Sequence, residues 1–168
     1  MVILISVRKG DMNMKIIYTN DNIFDIRNSN PESAVCITTN AMVKSNKKAV
    51  MGKGIALEAS NLFKNLSKDL ADKLIKNGNH TYLFEYANIK IITFPTKHNW
   101  QNPSNILLIM RSARELVQIC NENNIDAVYL PPVGCGNGQL DWEYVSQWLE
   151  QILDDRFVFI IRTKYKKT

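Results

Sequence analysis

Short apolar segments alternate along the chain with longer segments in which apolar residues recur every three or four positions. The short segments are rich in Ile, Val, Phe and Tyr and are bounded by Gly, Pro, Asn or Asp, a pattern typical of strands. Several are continuously apolar, which favours strands that are covered on both faces. The predicted strands are Met1–Val7, Lys15–Thr19, Ala34–Thr38, Tyr82–Tyr86, Ile89–Phe94, Ala127–Leu130 and Phe157–Arg162.

The longer segments have helical periodicity. The predicted helices are Ile55–Leu66, Ser67–Lys76, Ile106–Asn121 and Trp142–Leu153. Ser104 and Asp141 are the expected N-caps of the last two, since their side chains can accept a hydrogen bond from an unpaired N–H. Residues that we expect to face the core include Leu62, Ile75, Leu107, Trp142, Trp148 and Ile152. Strands that alternate with helices predict a three-layer α/β/α sandwich around a mixed sheet.

Composition limits the class of protein. A length of 168 residues with 45% hydrophobic residues fits one globular domain that spans the chain. No apolar run is long enough to cross a bilayer, and charged residues follow the apolar start directly, so neither a membrane span nor a signal peptide is expected. Three scattered cysteines form no CxxC pair or His–Cys cluster, so we expect no metal, no other cofactor and a cytoplasmic location.

Two glycine-rich segments each follow a predicted strand and precede a predicted helix. They read MGKGIA at 51–56 and PPVGCGNGQLDW at 131–142. Ligands bind at the carboxyl ends of strands in open α/β sheets, and glycine lets backbone N–H groups approach a phosphate closely. Two such loops at one edge favour a diphosphate. Neither matches the P-loop or the dinucleotide fingerprint, which argues against ATP hydrolysis and hydride transfer.

Four motifs together carry a family resemblance: Thr38-Thr39-Asn40, the 51–56 loop, Phe94-Pro95-Thr96-Lys97 and the 131–142 loop. In this order they resemble the macro domain, more narrowly the branch that contains the DarG antitoxins and the terminal ADP-ribose protein glycohydrolases. The resemblance runs from about residue 15 to 163. It implies an ADP-ribose cleft built from the two glycine loops, and a mostly parallel, six-stranded mixed sheet between helices.

The resemblance assigns site residues position by position. Those expected to contact ADP-ribose are Asp21, Asn22, Ile23, Asn40, Gly52, Lys53, Gly54, Ile55, Thr96, Val133, Gly134, Cys135, Gly136, Asn137 and Gly138. Asn22 stands where the family has an aspartate that accepts a hydrogen bond from adenine, and an amide oxygen can accept the same bond. Gly138 stands where protein-directed relatives have an aspartate and DarG-like domains have glycine.

The resemblance also makes Lys97 the expected catalytic residue. A lysine amine whose pKa is lowered by burial or by nearby cations can attack the electrophilic C1″ of the distal ribose. A protonated lysine can instead stabilise the negative charge of the departing group. Both roles remain open from the sequence.

The leading hypothesis is an ADP-ribosyl glycohydrolase that acts as a monomer on modified DNA bases or on acidic protein side chains. A non-catalytic ADP-ribose reader would use the same loops, with Lys97 incidental, and a phosphatase acting on ADP-ribose-1″-phosphate is a third hypothesis. The net charge of +5 favours anionic partners. Lys44, Lys47, Lys48 and Lys53 form a basic stretch that could contact nucleic acid, and Trp100 could stack on a base.

Overall fold

Residues 3–6 and 14–165 of the computed structural model are described here, the former through their backbone alone. The strands are β1 Ile3–Ser6, β2 Lys15–Tyr18, β3 Ala34–Thr39, β4 Leu83–Tyr86, β5 Ile89–Pro95, β6 Val128–Leu130 and β7 Phe157–Ile161. The helices are α1 Ile23–Asn28, α2 Gly54–Leu62, α3 Leu66–Asn77, α4 Ile106–Glu122 and α5 Trp142–Leu149, followed by a 3₁₀ turn at Thr163–Tyr165. Every predicted strand is therefore confirmed, although positions 1, 2 and 7 of the first lie outside the described residues.

The strands form one mixed sheet in the order β1-β2-β7-β6-β3-β5-β4. Five adjacent strands, from β2 to β5 in this order, run parallel, while β1 and β4 are antiparallel at the two edges. The described residues thus contain seven strands rather than the six that the resemblance implied, because β1 pairs with β2 and extends the edge. Parallel strands all end at one edge of the sheet, so the segments that follow them are brought together.

Helices cover both faces of the sheet, which confirms the three-layer α/β/α sandwich. Alternate residues of β3 enter different cores: Cys36 packs on the side of α4 and α5, and Val35 and Ile37 pack on the side of α1, α2 and α3. All three are fully buried, as the continuous apolar pattern predicted. Within the described ranges, no helix combines the length and the apolar character that crossing a membrane requires.

The predicted helices are present but two end earlier, and one helix was missed. The first ends at Leu62 and the last at Leu149. The six-residue α1 is too short for a periodic pattern, and its start is fixed by Asn22, whose side chain accepts a hydrogen bond from Phe24 N at 2.9 Å. Asp141 caps α5 as expected, through Glu143 N at 2.9 Å.

The expected cap Ser104 is wrong by one residue. Asn105 caps α4 instead, and its side-chain oxygen accepts hydrogen bonds from Leu107 N at 2.9 Å and Leu108 N at 3.1 Å. The Ser104 N–H donates to Gly138 O at 2.9 Å, so this residue belongs to the second glycine loop rather than to the helix start.

Several residues expected in the core are exposed. Leu107 is 72% exposed, Ile75 64% and Trp148 37%, and Leu62 is exposed as well. In the first two cases an apolar neighbour, Leu108 or Leu74, takes the buried position. Periodicity cannot choose between adjacent apolar residues at the border of a stripe, since both lie near the same face. Trp142 does pack inward, with its ring 4.8 Å from that of Phe159.

Candidate functional site

A cleft of about 960 Å³ lies at the edge where the five parallel strands end. Each of these strands delivers residues to it, as expected for ligand sites in α/β sheets. The contributing segments are 21–23 after β2, 38–40 and 50–56 after β3, 96–97 after β5, 131–132, 134 and 136–139 after β6, and 162 and 164 after β7. The volume suits a ligand of nucleotide size.

The two glycine loops face each other across this cleft. A Cβ atom added to Gly54 would lie 3.7 Å from the side-chain nitrogen of Asn137 in the opposite loop. Gly54 has φ of +56°, a backbone conformation that favours glycine. It begins α2, and the N-cap residue Lys53 makes no side-chain cap hydrogen bond. The first N–H groups of α2 therefore point at the cleft without a side-chain partner, an arrangement that suits an anion.

The second loop requires glycine at two positions for different reasons. Gly134 has φ of +77°, and Leu140 N donates to its carbonyl at 3.0 Å, which closes the turn. At Gly138 the limit is space, because an added Cβ would lie 2.2 Å from Ser104 Oγ and 2.4 Å from Gly134 O. The loop in this conformation therefore has no room for the aspartate that protein-directed relatives carry at the position of Gly138.

Lys97 extends from the end of β5 to the second loop, where its Nζ donates to the carbonyl of Asn137 at 3.4 Å. The backbone that carries it is held on both sides: Thr96 N donates to Thr39 O at 3.1 Å, and Asn105 N donates to Thr96 O at 2.9 Å. Burial, and secondarily the ammonium group of Lys53, lower the pKa of Lys97. A lysine with a lowered pKa has more neutral, nucleophilic amine near neutral pH.

At the end of the cleft away from Lys97, Asn22 has both side-chain atoms occupied. Its oxygen caps α1 through Phe24 N, and its nitrogen donates to Glu58 Oε2 at 3.2 Å. This amide oxygen was expected to accept a hydrogen bond from adenine. It already accepts one as the helix cap, so the two roles compete for the same atom. The carboxylate of Glu58, which lines the cleft beside Asn22, is an acceptor that the sequence analysis did not identify.

Asn40 lines the cleft and also shapes the loop that follows β3. Its side-chain nitrogen donates to Val50 O at 3.0 Å, and its side-chain oxygen accepts from Met42 N at 2.9 Å. These bonds hold together the two ends of the segment between β3 and the first glycine loop, so this residue has a structural role beside any contact with ribose.

All but two of the residues expected to contact ADP-ribose line the cleft. Val133 and Cys135 do not: Val133 is fully buried in the core, and Cys135 packs against that core with its thiol 3.3 Å from Val133 O. The side chains of Val133 and Cys135 are turned toward the core, whereas the neighbouring Gly134 and Gly136 line the cleft. The family motif identifies the whole segment as part of the site, but it does not show which of its residues face the cleft and which face the core.

The polar residues of the cleft that the sequence analysis missed include Glu58, Gln101, Ser104, Arg162 and Lys164. Arg162 directly follows β7 and Lys164 lies in the 3₁₀ turn after it, so applying the strand-end rule to this strand would have found them. Ser104 is buried, and its hydroxyl has no hydrogen-bond partner in the described part of the chain. No local pattern marks Ser104 or Glu58, because they reach the cleft only through packing.

The profile of the macro domain family matches residues 43–149, and the chain belongs to this family. Among solved structures it is similar to the macrodomain of Mycobacterium tuberculosis DarG, with 28% identity and a TM-score of 0.70 over 86% of this chain and 96% of that one. Thermosipho africanus DarTG in complex with ADP-ribose has the same fold, with a TM-score of 0.73 and 20% identity over 92% of this chain and 43% of that one.

Curated relatives point to the same branch. A protein named DNA ADP-ribosyl glycohydrolase from Mycobacterium tuberculosis is 37% identical over 120 residues, which are 66% of this chain and 34% of the relative. One of the same name from Thermus aquaticus is 29% identical over 117 residues, 65% of this chain and 32% of the relative. The chain thus spans about a third of the length of the curated relatives it matches.

Proposed function

We propose that this chain is an ADP-ribosyl glycohydrolase that removes ADP-ribose from modified DNA bases, with Lys97 as its catalytic residue. The observation that carries the proposal is the position of the Lys97 amine, 3.4 Å from the carbonyl of Asn137 between two loops of backbone donors. The loops bind the diphosphate, so the amine stands at the sugar beyond it. The curated relatives, named for DNA ADP-ribosyl glycohydrolase activity, support DNA as the target.

Lys97 acts as a nucleophile in this proposal, which its lowered pKa favours. The neutral amine bonds to C1″ as the bond from C1″ to the base breaks, and the bonding electrons leave with the base, which takes up a proton. The amine, now bonded to C1″, loses a proton, and opening of the ribose ring gives an imine. Water then adds to that carbon, releasing ADP-ribose and restoring the amine.

The test combines binding with turnover. Calorimetry with ADP-ribose measures the binding step, and turnover is measured on an oligonucleotide that carries one ADP-ribosylated base. We expect a covalent ADP-ribose adduct on Lys97 when cyanoborohydride is present during turnover, detected by mass spectrometry. ADP-ribose binding without turnover would identify a reader instead. Phosphate release from ADP-ribose-1″-phosphate, with no action on the oligonucleotide, would identify a phosphatase.

The Lys53→Gln variant is expected to shift the pH dependence of turnover. Removing a positive charge near Lys97 raises the pKa of Lys97 toward its ordinary value, since the repulsion that lowers it is gone. The neutral amine then forms only at higher pH, and the rising limb of the kcat profile moves to higher pH. Because burial is the larger cause and remains, the shift is partial. A profile that stays in place or moves to lower pH would contradict a nucleophilic amine.

Glu58 is expected to select adenine. Its carboxylate lines the cleft beside Asn22 and can accept a hydrogen bond from the exocyclic amino group. The Glu58→Gln variant should bind ADP-ribose about 5- to 10-fold more weakly, while its preference over the hypoxanthine analogue, which has a carbonyl in place of the amino group, falls or reverses. Calorimetry with both ligands measures this. The matched change Asp25→Asn, on an exposed carboxylate outside the cleft, should change neither affinity.

A further inference from the structure

A lysine-rich hairpin stands beside the ribose end of the cleft. Val43 and Ala49 form an antiparallel bridge, and the turn between them is closed by hydrogen bonds from Lys44 N to Lys48 O at 2.8 Å and from Lys47 N to Lys44 O at 2.9 Å. We call residues 43–49 the Lys hairpin. The side chains of its three lysines are exposed, and none forms an ion pair with any residue in the described ranges.

The Lys hairpin is fixed relative to the catalytic lysine. At its base Val50 N donates to Met42 O at 2.9 Å, and Ala41 N donates to the carbonyl of His98, the residue after Lys97, at 3.0 Å. Lys48 and Lys47 lie two and three residues before Val50, which lines the cleft, whereas the three lysines of the hairpin are not among the residues that line it.

Charge is segregated near the Lys hairpin. Segment 33–57, which carries the hairpin and the first glycine loop, contains Lys44, Lys47, Lys48 and Lys53 and no Asp or Glu residue. The acidic residues that line the cleft, Asp21 and Glu58, lie at its other end. A surface of this kind attracts a polyanion to the ribose end in particular.

An exposed aromatic side chain completes the surface. Trp100 lies three residues after Lys97, lines the cleft and is 46% exposed. Within the described part of the chain its indole makes no ring contact with another aromatic residue. Exposed aromatic rings beside cationic grooves are the usual platforms on which nucleobases stack.

We propose that the Lys hairpin and Trp100 form a binding track for a single nucleic-acid strand, which places the ADP-ribosylated base at Lys97. Trp100 stacks on a base next to the modified one, and the hairpin lysines contact the phosphates that lead away from it. This inference rests on the proposed function, and it adds a surface that recognises the target rather than the ADP-ribose.

The first test compares two triple variants by fluorescence anisotropy. Lys44→Ala, Lys47→Ala and Lys48→Ala are combined in one, and the control combines Lys76→Ala, Lys90→Ala and Arg114→Ala, which removes the same charge away from the cleft. Each phosphate contact on a single strand contributes about 0.7 to the slope of log K against log salt. For an unmodified oligonucleotide we expect the hairpin variant to lower this slope by about 2 and to bind roughly tenfold or more weakly. The control should resemble the wild type.

Binding of free ADP-ribose and turnover of an ADP-ribosyl-glutamyl peptide show whether the hairpin recognises nucleic acid, ADP-ribose itself or an acidic protein. The hairpin variant should bind free ADP-ribose within about twofold of the wild type, because its three lysines lie outside the cleft. Turnover on the ADP-ribosylated oligonucleotide should fall at low substrate concentration, while turnover on the peptide, if any, should stay unchanged. An equal loss on the peptide would overturn the nucleic-acid assignment in favour of an acidic protein partner.

The stacking role is tested with Trp100→Leu and Trp100→Phe. One stacked base is worth about 1–3 kcal/mol, so the leucine variant should bind the unmodified oligonucleotide about 5- to 150-fold more weakly. The phenylalanine variant should recover most of this loss, since it keeps an aromatic face. Equal affinity of the three proteins would overturn the stacking role. These measurements use DNA without ADP-ribose, so their outcome is independent of whether Lys97 is catalytic.

Discussion

Replacing Lys97 with alanine is expected to lower turnover of an ADP-ribosylated oligonucleotide by about 10³-fold or more, while ADP-ribose affinity changes by less than about threefold. In the proposed mechanism the amine bonds to C1″, so its loss removes an interaction of the transition state rather than of the bound ligand. Single-turnover kinetics and calorimetry measure the two quantities separately. Parallel losses in both would place Lys97 in binding instead of catalysis.

Two further variants separate the possible roles of this lysine. Lys97→Arg keeps the positive charge but presents a guanidinium that stays protonated, so it should be as inactive as the alanine variant if the amine is a nucleophile. Substantial residual activity in Lys97→Arg would instead support electrostatic stabilisation of the leaving group. Lys90→Ala is the matched control, because Lys90 lies near the start of β5 whereas Lys97 follows the end of that strand. It should retain full activity.

The Gly138→Ala variant is expected to lose ADP-ribose affinity by about 10- to 100-fold. The added methyl group would lie 2.2 Å from Ser104 Oγ and 2.4 Å from Gly134 O, so the loop must shift and move its backbone donors away from the position proposed for the diphosphate. The contact with Gly134 O involves backbone, which a change of side-chain rotamer cannot relieve. Calorimetry with ADP-ribose measures the loss, and thermal unfolding should show a decrease of about 1–3 kcal/mol in the free energy of unfolding.

Gly136→Ala is the control for this prediction, because a Cβ atom added there meets nothing within 4 Å. It lies in the same loop, also lines the cleft, and should bind ADP-ribose within about threefold of the wild type. Gly138→Asp should lose at least as much ADP-ribose affinity as Gly138→Ala, even though the resemblance gives protein-directed relatives an aspartate at this position. If Gly138→Ala binds as well as Gly136→Ala, the packing argument is wrong.

Much of the fold could be predicted because β3, β5 and β7 have continuous apolar sequences that only a strand covered on both faces can bury. The number of strands in the sheet was harder to predict from the sequence. Whether Ile3–Ser6 joins the sheet depends on pairing with Lys15–Tyr18, and pairing between strands is a tertiary property. The missed helix α1 shows the same limit, since six residues are too few for a period and its start depends on one capping bond at Asn22.

Some residues of the candidate site could be predicted from the sequence and others could not. Glycine loops and a lysine that follow strands can be found from the sequence, because backbone donors and strand ends are local features. Ser104 and Glu58 could not be found, since Ser104 reaches the cleft through its backbone bond to Gly138 and Glu58 through the packing of α2. The same limit explains Val133 and Cys135, which share the loop motif but are turned toward the core.

By itself, the sequence determined the alternation of strands and helices, the positions of both glycine loops, and the family, since these depend on local pattern and on motifs in a given order. Only the tertiary structure decided that the loops face each other, that Lys97 reaches between them, and that the space beside Gly138 is filled. These features depend on distances between residues that are far apart in the chain. Such distances are set by the parallel sheet and by close packing, which no local pattern encodes.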